Sequence, residues 1–190
     1  MELVLEKKRV RLSKGQRKRR EKPQLITTDA IVRVAGPEDE DGIMHLARVN
    51  HNENGLFKLN EQRVLSYLRP ALHKLDGIVG VIGPKDKLEA LILLKTSFYW
   101  YSDERFLEEM SIFVHPDYRH AKDSRVQKLI AFAKQVSEGT GLPLLIGVLS
   151  NDRTSAKVAL YQKQFGPPAG AFFLYGRETG HFQEDADSQH

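Results

Sequence analysis

Residues 105 to 130 read RFLEEMSIFVHPDYRHAKDSRVQKLI, a stretch whose residue types and spacing can build an anion site. A run of apolar, aromatic and carboxylate residues ends at the turn Pro116-Asp117. The polar segment Arg119-His120-Ala121-Lys122-Asp123-Ser124 follows. After it the apolar positions Val126, Leu129, Ile130, Ala133 and Val136 fall at the i, i+3, i+4, i+7 spacing of a helix buried on one face. Strand, polar turn and helix in this order bring unpaired backbone N–H groups and the positive end of a helix dipole to one place. Such a place binds anions, phosphates above all.

Val114-His115-Pro116-Asp117-Tyr118-Arg119, with the loop and the Leu- and Ala-containing helix after it, resembles the acyl-coenzyme A binding motif of the GNAT superfamily of N-acetyltransferases. The order of elements agrees from about Ile31 to Arg177. The resemblance implies acetyl-CoA as cofactor. Its pyrophosphate would be held by the backbone of Arg119, His120, Ala121, Lys122, Asp123 and Ser124, and its chain by the backbone of Phe113 and Val114. Arg125, beside the loop, would add charge. Lys122 stands where the family has Gly, and Ser124 where it has Gly or Ala.

Acetyl transfer from a thioester to an amine needs a held cofactor, a neutral amine, a stabilised oxyanion and a proton for the thiolate. For the amine's proton the resemblance points to Glu108 or Glu109. Adjacent strand residues point to opposite faces, so one of the two is expected at the cleft. The spacing to the loop favours Glu108, and a bulge would reverse the choice. For the thiolate, Ala159-Leu160-Tyr161-Gln162-Lys163 resembles the family's Leu-Tyr-x-Lys segment, which makes Tyr161 the implied general acid. Thr154 occupies the place of the family's usual Asn, and Phe165-Gly166 inverts its usual Gly-Phe.

The elements that must position these residues follow from periodicity and breakers. A short strand is predicted at 31–34. A helix then starts in the acids 38–41 and carries Ile43, Leu46 and Ala47, with a polar loop at 51–55. A second helix presents Val64, Leu65, Leu68, Leu72 and Leu75, kinked or split by Pro70. In the family this pair borders the acceptor. Strands are predicted at 77–82, 88–101, 142–149 and 171–175, and a further helix at about 153–164. The run 142–149 is apolar throughout, as for a strand covered on both faces. The aromatic cluster Phe98-Tyr99-Trp100-Tyr101 suits a half-exposed sheet face or a substrate pocket. The fold class is therefore α/β of GNAT type, with a mixed, twisted sheet of about six or seven strands and helices on both faces. The cleft is expected where the strand ending at Val114 splays from the strand at 144–149.

Composition sets the boundaries. A chain of 190 residues with 41% hydrophobic residues supports one cored domain. The absence of cysteine excludes disulfides, thiolate zinc sites and thiol nucleophiles. No paired histidine spacing points to a metal. An intracellular, cytoplasmic protein is expected, without a signal peptide or membrane span. Net charge is +4, yet residues 1–28 alone carry +7 and the remainder −3. The chain thus divides into a basic, flexible arm (1–28), an acyltransferase-like domain (29–177) and a polar tail (178–190). The arm's Lys7, Lys8, Arg9, Arg11, Lys14, Arg17, Lys18, Arg19, Arg20 and Lys22 suit contact with nucleic acid or another polyanion through phosphate. Two alternatives to amine acylation by a free-standing enzyme stay open. One is a GNAT-fold protein acting on or beside nucleic acid. The other is a non-catalytic binding module that has lost the cofactor, which Lys122 motivates.

Overall fold

The computed structural model describes residues 30–119, 124–150 and 153–176. Its elements run β1 (Arg33–Val34), α1 (Glu40–Asn54), α2 (Glu61–Leu72), β2 (Gly77–Ile82), β3 (Ala90–Phe98), β4 (Arg105–Val114), α3 (Arg125–Thr140), β5 (Leu144–Leu145) and α4 (Thr154–Phe165). Single 3-10 turns at Pro37–Asp39 and Pro116–Tyr118 precede α1 and follow β4. The five strands of the described residues form one sheet in the order β1-β2-β3-β4-β5. The first four are antiparallel neighbours, and β4 pairs with β5 in parallel.

Alternation along the strands makes two cores, one on each face of the sheet. Val79 and Val81 of β2 and Leu91 and Leu93 of β3 pack with Ile43, Met44 and Leu46 of α1 and Leu68, Ala71 and Leu72 of α2. The intervening Ile82, Ala90, Ile92 and Leu94 pack on the other face with Leu129 and Ala133 of α3. Each fully buried Leu or Ile contributes about 1.5–3 kcal/mol, so the apolar character of β2 and β3 reflects cover on both sides. Gly80 belongs to this arrangement: a Cβ there would lie 2.7 Å from the Phe132 ring, and its absence lets α3 sit close on the sheet.

Five sequence expectations change, the first being the strand expected at 88–101, which spans only Ala90–Phe98 and leaves Tyr99, Trp100 and Tyr101 exposed beyond its end. Helix α1 runs through His51–Asn54, where a polar loop was expected, and ends only at Gly55, whose N–H bonds the His51 carbonyl. Helix α2 is neither split nor interrupted at Pro70. That residue lies in the last turn, where one missing N–H costs little because the helix stops two residues later. The run 142–149 pairs only at Leu144–Leu145, and 171–175 forms no strand, its Phe172, Phe173 and Tyr175 being exposed. The sheet accordingly has five described strands, fewer than six or seven. The N-terminal arm, the whole polar tail and loop positions 120–123 lie outside the described residues.

Candidate active site

The pairing of β4 with β5 lasts two positions, Leu107 with Leu144 and Glu108 with Leu145. Beyond it β4 continues to Val114 on β3, whereas the chain after Leu145 runs on to Ser150 without pairing. The two segments diverge and leave the outer backbone edge of β4 without a strand partner among the described residues. A cleft of about 830 Å³ fills the opening. Glu108, Glu109, Phe113, Val114, Arg119, Ser124, Arg125 and Tyr161 all line it. The described part of the sequence-predicted site is thus brought to one cavity, while His120, Ala121, Lys122 and Asp123 lie outside the described residues.

A bulge sets how the two carboxylates sit, and both line the cleft rather than one alone. Leu93 pairs with Ser111 and Leu94 with Glu109, so Met110 is an extra residue on β4. Glu108 accepts a 2.6 Å hydrogen bond from the Ser97 hydroxyl of β3. Glu109 is half-buried against the diverging segment, where the Gly147 N–H donates to it. Burial pushes the Glu109 carboxyl up to about 7; the Gly147 bond opposes the rise and the neighbouring Glu108 charge adds to it. Tyr161, projecting from α4, has its phenol raised well above the ordinary value by burial and by the Glu109 charge. It therefore keeps its proton throughout the range in which Glu109 titrates. Its ring meets Phe165 edge-on at 5.9 Å.

At the other end of the cleft lies the first turn of α3, capped by Ser124 without a side-chain hydrogen bond and holding no acidic residue. Free N–H groups and the dipole there favour an anion. The two arginines beside it are already engaged. Arg119 forms a bidentate pair with Glu53 of α1 at 2.7 and 2.8 Å, donates to the Val114 carbonyl and lies over the Phe113 ring. Arg125 is buried, 2.6 Å from Glu89 and over the Tyr118 ring. The Arg125 guanidinium pairs with Glu89, and an unpaired Glu89 at that depth would be costly.

Several site residues escaped the sequence reading. Asn50 donates to Ser111 of β4, Asn54 to Asn50, and Ser150 and Lys157 both donate to the Asn54 carbonyl oxygen. Lys157 also donates to the Ser150 hydroxyl. This chain of polar groups ties α1, β4, the segment after β5 and α4 around the cleft. The available signal is spacing: Asn50 and Asn54, like Lys157 and Tyr161, are one helical turn apart, but the turn-forming composition of 51–55 hides the first pair.

No family model and no curated protein matches the sequence. Solved structures do match it. A possible acetyltransferase from Clostridium difficile 630 aligns at 17% identity and a TM-score of 0.57, over 77% of this chain and 96% of that one. AAC(6')-Iy, solved in complex with the bisubstrate analog CoA-S-monomethyl-acetylneamine, aligns at 12% identity and 0.59, over 80% and 99%. A GNAT family acetyltransferase from Staphylococcus aureus aligns at 13% and 0.50, over 76% and 97%. The chain has the GNAT fold. The alignments span nearly the whole of each neighbour and 76–80% of this chain. At these identities the likeness fixes architecture alone, and the chemistry rests on the residues.

Proposed function

We propose that the protein transfers an acetyl or similar acyl group from acetyl-CoA to a primary amine. The observation that carries this reading is the pairing of a carboxyl raised to about 7 with a phenol held protonated, Glu109 and Tyr161, in the opening between β4 and β5. Two groups with well-separated proton affinities in one cleft fit a base and an acid. The chain's residues also fit the cofactor. The uncapped, acid-free start of α3 suits its phosphates, the β4 edge at Phe113 and Val114, without a strand partner among the described residues, suits its amide-bearing arm, and the cleft volume is adequate for both. Bound acetyl-CoA supplies the activated acyl carbon.

The protein's own part is proton handling and exclusion of water. Glu109, largely ionised just above pH 7, takes a proton from the incoming ammonium and leaves a nucleophilic amine. A carboxyl of ordinary acidity would be a far weaker base for that step. Tyr161 holds a proton at Oη, available to a leaving group on the opposite side of the reacting carbon. The wall formed by α4 is kept over the cleft by the Asn54, Ser150 and Lys157 contacts. Isothermal titration of the full chain with acetyl-CoA is the test. Micromolar binding, kept in Tyr161→Phe while acyl transfer falls by about 10²-fold, supports the reading. Absence of binding overturns it and leaves a non-catalytic module.

The charge of the N-terminal arm favours a second activity in the same chain, docking on nucleic acid. Duplex DNA should be held at low salt and released by 0.5 M salt, and a chain lacking residues 1–28 should not hold it. Binding that persists at 0.5 M salt without the arm contradicts that role.

A further inference from the structure

A smaller hollow of about 270 Å³ adjoins the cleft and shares Leu59, Val64, Tyr67 and His51 with it. Its remaining walls are Lys58, Asn60 and Arg63, around the start of α2. Tyr67 stands between two cations. The Lys95 ammonium is 4.7 Å from its ring centroid, and the Arg63 guanidinium is 5.8 Å away with one N–H toward the Tyr67 hydroxyl at 3.4 Å. Among the described residues no carboxylate forms an ion pair with Lys58, Arg63 or Lys95. Glu61, the nearest acid in sequence to Lys58 and Arg63, is taken by Arg48 in a bidentate pair. The two cations that line the hollow, Lys58 and Arg63, thus have no carboxylate ion-pair partner among the described residues. His51 does not offset this, because its Nε2 is engaged with the Phe57 carbonyl.

The sheet joins this hollow to the chemistry. Lys95 of β3 is the direct cross-strand partner of Glu108 on β4, which puts their side chains on one face about 5 Å apart at Cβ. Glu108, Glu109 and Tyr67 line the one cleft, and Tyr67 with Arg63 and Lys58 lines the hollow that opens from it. An amine bound with its nitrogen at Glu109 would bring its other end to the positive hollow. The two cations on its wall, Lys58 and Arg63, with Lys95 over the Tyr67 ring beside it, attract a carboxylate or phosphate and repel a second ammonium. We propose that the acceptor is a small amine carrying an anionic group, a carboxylate or a phosphate, bound through Lys58, Arg63 and Lys95. This rests on the acyltransfer reading and deepens it by naming the class of acceptor.

The test compares matched probes by isothermal titration on the full chain without cofactor: O-phosphoethanolamine against ethanolamine, and β-alanine against β-alaninamide. The anionic member of at least one pair should bind ten-fold or more tighter, and which pair discriminates separates phosphate from carboxylate. In Lys58→Glu/Arg63→Glu, and independently in Lys95→Met, that preference should fall below about two-fold. Both variants retain the arm, so anion binding by the arm would leave the preference intact. Weak or equal binding of the anionic probes, or discrimination that survives both variants, overturns the proposal. The acetyl-CoA titration is read separately: its failure removes the acyltransfer reading, whereas cofactor binding without discrimination among amines removes this inference alone.

Discussion

At the scale of single residues, the site depends on the position of one extra amino acid. Met110 bulges out of β4, and Glu109, next to it, meets the Gly147 N–H and stands close enough to raise the Tyr161 phenol. Glu109 has a folded value near 7 against an ordinary 4.5, so the folded protein prefers it protonated. Its contribution to stability is full below pH 4.5 and is lost as pH rises through 7. Glu109→Gln should thus raise the melting temperature at pH 8 relative to wild type, with little change at pH 4, while lowering acyl transfer by 10²-fold or more. Part of the rise comes from the Glu108 charge. Removing that charge in Glu108→Gln favours the ionised form of Glu109, so the limb of activity that rises with pH should move to lower pH. A limb that stays in place would assign the titration to another group. Both carboxylates were legible in the sequence, as was Tyr161. How the two carboxylates are oriented was not, because a bulge is set by how β4 registers on β3, and no local residue pattern announces it.

Among the elements, the least legible was α1. Its last turn, His51–Asn54, consists of residues with middling helix propensity that favour turns and caps, a composition that on its own ends the helix early. Tertiary contacts override that preference: Asn50 bonds Ser111, and Asn54 takes hydrogen bonds from Ser150 and Lys157. Asn54→Ala should cost about 1 kcal/mol by losing these bonds, readable in a denaturant titration. Because Lys157 and Tyr161 share α4, it should also lower acyl transfer more than acetyl-CoA affinity. An equal loss in both would place Asn54 at the cofactor and not at the wall. By contrast β2, β3 and α3 were plain from periodicity, since cover on both sheet faces or on one helix face writes itself directly into the apolar pattern. The run 142–149 has that same pattern, yet most of it borders a cleft. Apolar character records burial or a lined cavity equally well, and the length of pairing does not follow from it.

Across the whole molecule, the entry to α1 is secured by an ion pair that composition conceals. Asp39 is fully buried, accepts from Arg33 at 2.7 and 2.8 Å and from the Gly36 N–H at 3.0 Å, and joins β1 to the start of α1. The Arg33 hydrogen bonds hold its carboxyl below the usual range against the opposing effect of burial. The stabilisation is present above the ordinary Asp value and is lost as pH falls through the lowered one. Asp39→Asn should cost about 1–3 kcal/mol at pH 7 and flatten the acid limb of a stability profile. The domain's modest negative charge beside a strongly positive arm was visible from sequence alone, and so was the order of elements. The two-position parallel contact between β4 and β5 was not, and it has a consequence for exchange with solvent. Nine register pairs join β3 to β4, whereas only two hold β5. The segment from β5 onward can therefore come away and reclose without the central ladder breaking, a local opening of low free energy. Deuterium uptake at native pH should reach the amides of 144–150 and α4 well before those of β2 and β3, and acetyl-CoA should slow the former and leave the latter unchanged. A wall that breathes in this way would let a long product leave sideways along its whole length, with no need to thread out through one end.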